Sequence, residues 1–183
     1  MSSSTLTAIQ RAGAIRLVAL DVDGVLTDGR LYYGAEGEAM KAFDVRDGHG
    51  IKLLMKSGIE VALLTARRSS IVATRARELG ITHVLQGQSD KAAGFAVLQA
   101  HTGIAASACA YMGDDWPDLP VLQQVGFATT VADACEEVRT VAHWIATRSG
   151  GQGAVRELAT FILRAQGKFD ALLHAHQQAG AHA

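Results

Sequence analysis

The chain has 183 residues, 49% of them apolar and 19% charged, which suits one domain with a substantial core. A net charge of −1 and a pI near 6.6 leave no basic surplus, so neither nucleic acid nor an anionic membrane is expected as a partner. The first ten residues lack the basic start and apolar core of a secretory signal, and the uncharged stretch 92–113 is broken by Gly94, Gln99, His101, Thr102, Gly103 and Ser107, so the protein reads as cytoplasmic with no membrane span.

The first strong element is an apolar run at 15–20, expected to be a buried strand. It ends in Asp21-Val22-Asp23-Gly24. Two carboxylates one residue apart sit where a strand breaks into a loop, the place where open α/β sheets bind ligands. Asp-Gly is also ordinary turn chemistry, so the pair needs company before it means anything. Next, 30–45 reads as a hairpin, with strands at 31–33 and 39–45 around the loop 34–38. It carries Leu31, Tyr32, Tyr33, Met40, Phe43 and Val45, and an isolated hairpin is marginal in water. Its apolar surface is expected to pack on a neighbouring subunit, with its own domain as the alternative.

From there strand and helix alternate. Helical periodicity appears at 51–57, 69–79, 91–100, 119–124 and 132–141, and short apolar strands at 59–64, 83–85, 108–112 and 126–129. Gly58, Gly80 and Gly103 follow helices where a left-handed cap is expected. Strands apolar on both faces need helices on both sides. The expected fold class is therefore α/β: a Rossmann-like parallel sheet flanked by helices, with an inserted β-hairpin. A Gly-rich segment, 148–157, reads as a flexible joint, followed by a helix whose inner face is Val155, Leu158, Ala159, Ile162 and Leu163. The domain is placed at 15–165, with an N-terminal extension at 1–14 and a tail at 166–183. The tail's His174, His176 and His182 fit a frayed helix or disordered end better than a metal tract. Cys109 and Cys135 read as small buried side chains.

Four strand ends carry polar groups. The first gives Asp21 and Asp23, the second Thr65, the third leads to Lys91, and the fourth gives Gly113-Asp114-Asp115-Trp116-Pro117-Asp118. Parallel strands would gather these groups at one sheet edge. Such a cluster of carboxylates repels itself unless a cation neutralises it, and oxygen-only ligands suit Mg²⁺. In that setting Asp21 can attack phosphorus, Asp23 can protonate the leaving oxygen and then activate water, Thr65 can hold a phosphoryl oxygen, and Lys91 can offset developing charge. Each residue alone has a plainer reading: Thr65 and Asp118 as helix caps, Lys91 as a solvated charge.

The ordered set D-x-D, T, K, G-D-D-x-x-D resembles the four motifs of the haloacid dehalogenase superfamily of phosphotransferases. Phe43-Asp44-Val45-Arg46-Asp47-Gly48-His49-Gly50-Ile51 and Gly150-Gly151-Gln152-Gly153-Ala154-Val155-Arg156-Glu157, with the hairpin, resemble its capless branch, which contains 3-deoxy-D-manno-octulosonate 8-phosphate phosphatase. The resemblance implies a fold without a cap domain and Mg²⁺ held by the Asp21 and Asp114 side chains and the Asp23 carbonyl. Asp115 and Asp118 become supporting carboxylates. It implies a substrate pocket lined by Asp23, Asp44, Val45, Arg46, Asp47, Gly48, Lys52, Arg67, Arg75 and Lys91. It also implies a homotetramer joined through the hairpins, whose neighbouring subunit and Gly-rich segment screen the site. Arg46, Arg67 and Arg75 suit a substrate carboxylate, which guanidinium binds in bidentate fashion. The expected reaction is hydrolysis of a sugar-acid phosphate through an aspartyl phosphate, as a step toward lipopolysaccharide.

The nine-carbon nonulosonate 9-phosphate is the alternative substrate. A non-catalytic tetramerising module is a second alternative, disfavoured because Asp21, Asp23, Thr65, Lys91 and Asp114 are all present. A signalling receiver domain is disfavoured by order, since the second acidic cluster follows Thr65 and Lys91. Two positions depart from the family pattern: Ala66, where relatives carry Gly, and the Trp116-Pro117 pair within the last motif.

Overall fold

The computed structural model describes residues 6–179. In chain order the elements are α1 (Ala8–Gly13), β1 (Leu17–Leu20), β2 (Tyr32–Gly34), β3 (Gly37–Met40), α2 (Val45–Lys56), β4 (Glu60–Thr65), α3 (Ser70–Leu79), β5 (His83–Gln86), α4 (Lys91–Thr102), β6 (Cys109–Gly113), α5 (Leu119–Leu122), β7 (Phe127–Thr130), α6 (Glu136–Val141), β8 (Trp144–Ile145), α7 (Ala154–Ala165) and α8 (Phe169–Ala179).

β1, β6 and β7 are buried along their whole length, which is why their sequences show no alternation. They join a six-stranded, wholly parallel sheet in the order β5-β4-β1-β6-β7-β8. From β1 the chain first moves outward through α2, β4, α3 and β5. It then crosses back through α4 to β6. Right-handed crossovers place α2 and α4 on opposite faces. β1 lies between β4 and β6, so the strand order reverses beside its carboxyl end, where a crevice opens.

Six of the expected strands are present within one or two residues of their expected bounds, five in the parallel sheet and one in the hairpin. The α7 face also forms as read: Val155, Leu158, Ala159, Ile162 and Leu163 are all buried. Burying each of the larger ones stabilises the fold by about 1.5–3 kcal/mol. Cys109 is buried and Cys135 half-buried, both as free thiols.

Several expectations are corrected. β3 ends at Met40 instead of running to residue 45, and α2 begins at Val45, six residues earlier than expected. The cause is Asp44, an N-cap whose side chain accepts from the Arg46 N–H at 2.7 Å. α6 starts at Glu136, not residue 132. The hairpin turn is tighter than expected, since β2 and β3 close at Gly34 and Gly37. The Gly-rich segment is no loose joint. The Gly151 N–H donates to Val25 O at 2.9 Å, the Gly150 N–H donates to Asp133 Oδ1 at 3.0 Å, and a Cβ on Gly150 would sit 1.7 Å from Gly24 O. The tail forms a helix, α8, that carries partly buried Phe169 and Leu172 against the core; His182 lies outside the described residues. Residues 8–13, read as an extension, form α1, whose Ala12 is in the core. No helix among the described residues is long and apolar enough to cross a membrane.

Candidate active site

The carboxyl ends of β1, β4 and β6, with the start of α4, surround a cavity of about 170 Å³. Asp21, Asp23, Thr65, Lys91, Asp114, Asp115 and Asp118 all line it, with Ala66 and Pro117. The seven polar groups predicted from separate strand ends therefore meet in one place.

Asp21, Asp114 and Asp118 each offer a carboxylate oxygen within 4.8 Å of the others, the one such cluster among the described residues. Their environments differ. Asp118 is fully engaged: Oδ1 accepts from Lys91 Nζ at 2.5 Å and Tyr111 OH at 2.6 Å. Its Oδ2 accepts from the Asp114 and Asp115 N–H groups at 2.9 and 3.2 Å. Its lone pairs are committed to holding the loop, so it supports the cluster. Asp21 accepts from the Val22 N–H at 2.7 Å and from Lys91 Nζ at 2.6 Å. Burial pushes its carboxyl up to about 6, against the pull of Lys91. Burial pushes Asp114 up to about 7, with the charges of Asp118 and Asp21 adding to the effect. A buried and a half-buried acid raised this far form a site short of positive charge, and a divalent cation fits that need and the all-oxygen donor set.

Lys91 is buried, and its stem reaches both Asp21 and Asp118. Burial opposes its charge, but the two carboxylates outweigh that and hold its pKa above the ordinary lysine value. The solvated-charge reading of Lys91 is thus excluded. Thr65 is buried at the end of β4, and its hydroxyl accepts the Arg67 N–H at 3.4 Å. Asp23 is half-buried. Its carboxylate pairs with Lys41 and lies 4.0 Å from Arg67 Nε, a buried atom with no hydrogen-bond partner among the described residues. Gly24 has φ +87°, and a Cβ there would sit 2.1 Å from Asp114 Oδ2, so only glycine leaves room for that carboxylate.

The departures from the motif pattern are accommodated. No non-glycine residue among those described has positive φ, so Ala66 adopts its loop without left-handed strain. Trp116–Asp118 form one 3-10 turn capped by Asp115, with Pro117 in its first turn, where no donor is needed.

The expected substrate residues are less well gathered. Asp44, Val45, Arg46, Asp47, Gly48, Lys52, Arg67 and Arg75 do not line the cavity. Asp47 is corrected outright: it is buried, and its two oxygens accept the Arg156 and Gly153 N–H groups at 2.7 and 3.2 Å, clamping the start of α7. Arg46 is held bidentately by Asp44 and donates to Gln152 O at 2.9 Å. Arg75 lies over Phe43, 5.9 Å from its ring centroid, and pairs with Glu78. Sequence reasoning missed Lys41, because nothing local signals that a hairpin lysine reaches residue 23.

A family model described as haloacid dehalogenase-like hydrolase matches residues 77–158. The chain is 49% identical over 162 residues to 3-deoxy-D-manno-octulosonate 8-phosphate phosphatase KdsC of Yersinia pestis, covering 88% of this chain and 87% of that protein. The chain belongs to the haloacid dehalogenase-like hydrolases. Within them it falls among the 3-deoxy-D-manno-octulosonate 8-phosphate phosphatases. A solved structure of the phosphatase from Moraxella catarrhalis, in complex with magnesium ion, phosphate ion and KDO, is 47% identical. It superposes with TM-score 0.90 over 92% of this chain and 97% of that one. A cobalt-bound phosphatase from Haemophilus influenzae is 44% identical with TM-score 0.86, over 87% and 94% of the two chains.

Proposed function

We propose that this chain hydrolyses 3-deoxy-D-manno-octulosonate 8-phosphate to the free sugar acid and phosphate, with Mg²⁺ as cofactor. The observation that carries the reading is the convergence of Asp21, Asp114 and Asp118 within 4.8 Å, beside Thr65 and Lys91. Similarity to the Yersinia pestis and Moraxella catarrhalis phosphatases supports it.

Asp21, Asp114 and the Asp23 carbonyl would hold the metal; when bound it neutralises the carboxylates and polarises the phosphoryl oxygens. The Asp21 carboxylate attacks phosphorus, and the P–O bond to the sugar breaks as Asp23 gives its proton to the departing oxygen. Asp23, now ionised, takes a proton from water as that water attacks the aspartyl phosphate. Phosphate leaves and Asp21 is regenerated. Thr65 donates to a phosphoryl oxygen, and Lys91 keeps Asp21 ionised and offsets charge on the transferring group. Asp115 and Asp118 fix the loop. Arg67 lies outside the cavity lining but beside Asp23, with 40% of its side chain exposed, and of the expected arginines it is the one nearest the cluster for binding the sugar acid.

The chain is further proposed to act as a cytoplasmic homotetramer with one catalytic domain, 15–165. Leu31, Tyr33 and Met40 expose 44%, 64% and 54% of their surface on the hairpin, which suits contact with a second copy. In that assembly Asp44, Val45, Arg46, Gly48, Lys52 and Arg75 would serve an adjacent pocket.

The test is phosphate release from a panel that includes the octulosonate and nonulosonate esters. EDTA should abolish release, Mg²⁺ should restore it, and Asp21→Asn should lose it. A clear preference for the nonulosonate 9-phosphate would overturn the substrate assignment, and full activity of Asp21→Asn would overturn the chemistry.

A further inference from the structure

Lys41 follows β3, and its side chain is only 1% exposed although it ends in an ammonium group. A buried cation needs partners. Lys41 Nζ has two: it donates to Asp23 Oδ1, and it pairs with Glu38 Oε1 at 3.1 Å. The other Glu38 oxygen accepts the Ser69 hydroxyl. Ser69 in turn caps α3 through the Val72 N–H at 3.3 Å, and its own N–H donates to Gln86 Oε1 at 2.6 Å. A continuous chain of hydrogen bonds, charge-assisted as far as Ser69, thus runs from the Asp23 carboxylate, through the hairpin, to the loop after β4 and the end of β5. Tyr33 of the same hairpin adds a second tie, accepting from Arg67 Nη2 at 3.0 Å.

The arrangement is asymmetric at Asp23. One carboxylate oxygen is fixed by Lys41, while the other faces the unpartnered Arg67 Nε. A carboxylate on two rotatable bonds that must deliver a proton to a leaving oxygen, and then take one from water, gains from being held at one oxygen only. Lys41 does not line the cavity, and with its side chain 1% exposed its ammonium group is spent on Asp23 and Glu38.

We propose that Lys41, held by Glu38, is a positioning residue for Asp23, and that the hairpin thereby completes the catalytic site of its own chain. This rests on the reading of Asp23 as the proton-transfer group. The hairpin thus carries both Lys41 and Glu38, which are tied to the site, and Leu31 and Met40, which are exposed.

The test compares Lys41→Met and Lys41→Gln with the parent on two esters. One is the alkyl phosphate that the parent turns over fastest. The other is p-nitrophenyl phosphate, whose leaving group departs without a proton. Positioning of an acid–base group predicts that kcat on the alkyl ester falls about 10- to 100-fold, with KM changed less than about twofold. It predicts that kcat/KM on the aryl ester falls less than about fivefold. Lys41→Arg should recover part of the alkyl rate, and adding Lys41→Met to Asp23→Asn should cost little more. Equal loss on both esters, a loss carried by KM, or full additivity with Asp23→Asn would overturn the proposal. Melting curves accompany each variant, and a Lys41→Gln variant that folds and keeps full alkyl turnover would also overturn it. Because the alkyl ester is chosen by parental turnover, a wrong substrate assignment shows in the parent's panel and leaves the Lys41 comparison intact.

Discussion

Lys91→Met is the most revealing single change to the carboxylate cluster. Methionine keeps most of the stem's packing but removes the cation that bridges Asp21 at 2.6 Å and Asp118 at 2.5 Å. Removing one partner of a buried ion pair costs about 3–5 kcal/mol, because the remaining charge is left uncompensated. For a chain of this size each kcal/mol moves Tm by about 2–4 °C, so metal-free protein at pH 8 should melt roughly 6–20 °C lower. The deficit should depend on pH. With Lys91 present the Asp21 carboxyl already stands at about 6, above the ordinary aspartate value of 3.8. Without Lys91 it rises further. An acid whose pKa is higher in the folded state binds more protons there, so stability falls as pH climbs from the unfolded-state pKa to the folded-state pKa and is level above it; the higher folded pKa of the variant extends that loss to higher pH. At pH 5 a protonated Asp21 has little use for the lysine, so the part of the deficit that Asp21 carries should vanish. Urea unfolding in EDTA at pH 5 and pH 8 measures both values. A deficit equal at the two pH values, or below about 1 kcal/mol at pH 8, would refute the electrostatic account.

Other outcomes follow from the same geometry. Mg²⁺ should raise Tm more at pH 8 than at pH 5.5, because Asp21 at about 6 and Asp114 at about 7 must lose protons before they bind it; an equal gain at both would contradict this, and calorimetry reads it. Gly24→Ala places a methyl group 2.1 Å from Asp114 Oδ2 at φ +87°, and should cost about 1–2 kcal/mol in backbone strain and about tenfold or more in Mg²⁺ affinity, read by metal titration of Tm. Met40→Glu puts charge on the exposed hairpin face and should lower the mass seen by light scattering, with secondary structure retained.

The legible part of this molecule was the part written in local pattern. Runs such as 59–64 announce buried strands by composition, and the rule that parallel strand ends share one edge brought Asp21, Thr65, Lys91 and Asp114 together before any coordinates. Where reading failed, the deciding contact was distant in sequence. Asp47 looked like a pocket residue beside Arg46, but its oxygens cap a helix more than a hundred residues away. The start of α2 was lost because Gly48 and Gly50 argue against a helix, and the Asp44 cap outweighs them. Two-residue β8 is too short to carry a period. Lys41 had no local signature, since its partner Asp23 lies across the fold.

Phosphoryl transfer to Asp21 is the step on which the proposed chemistry turns. Protein mixed with phosphate-labelled ester and Mg²⁺, quenched in acid within a turnover and digested, should carry label on the peptide containing Asp21, labile to hydroxylamine as an acyl phosphate is. Robust turnover with no labelled peptide, or with label on a different residue, would contradict it.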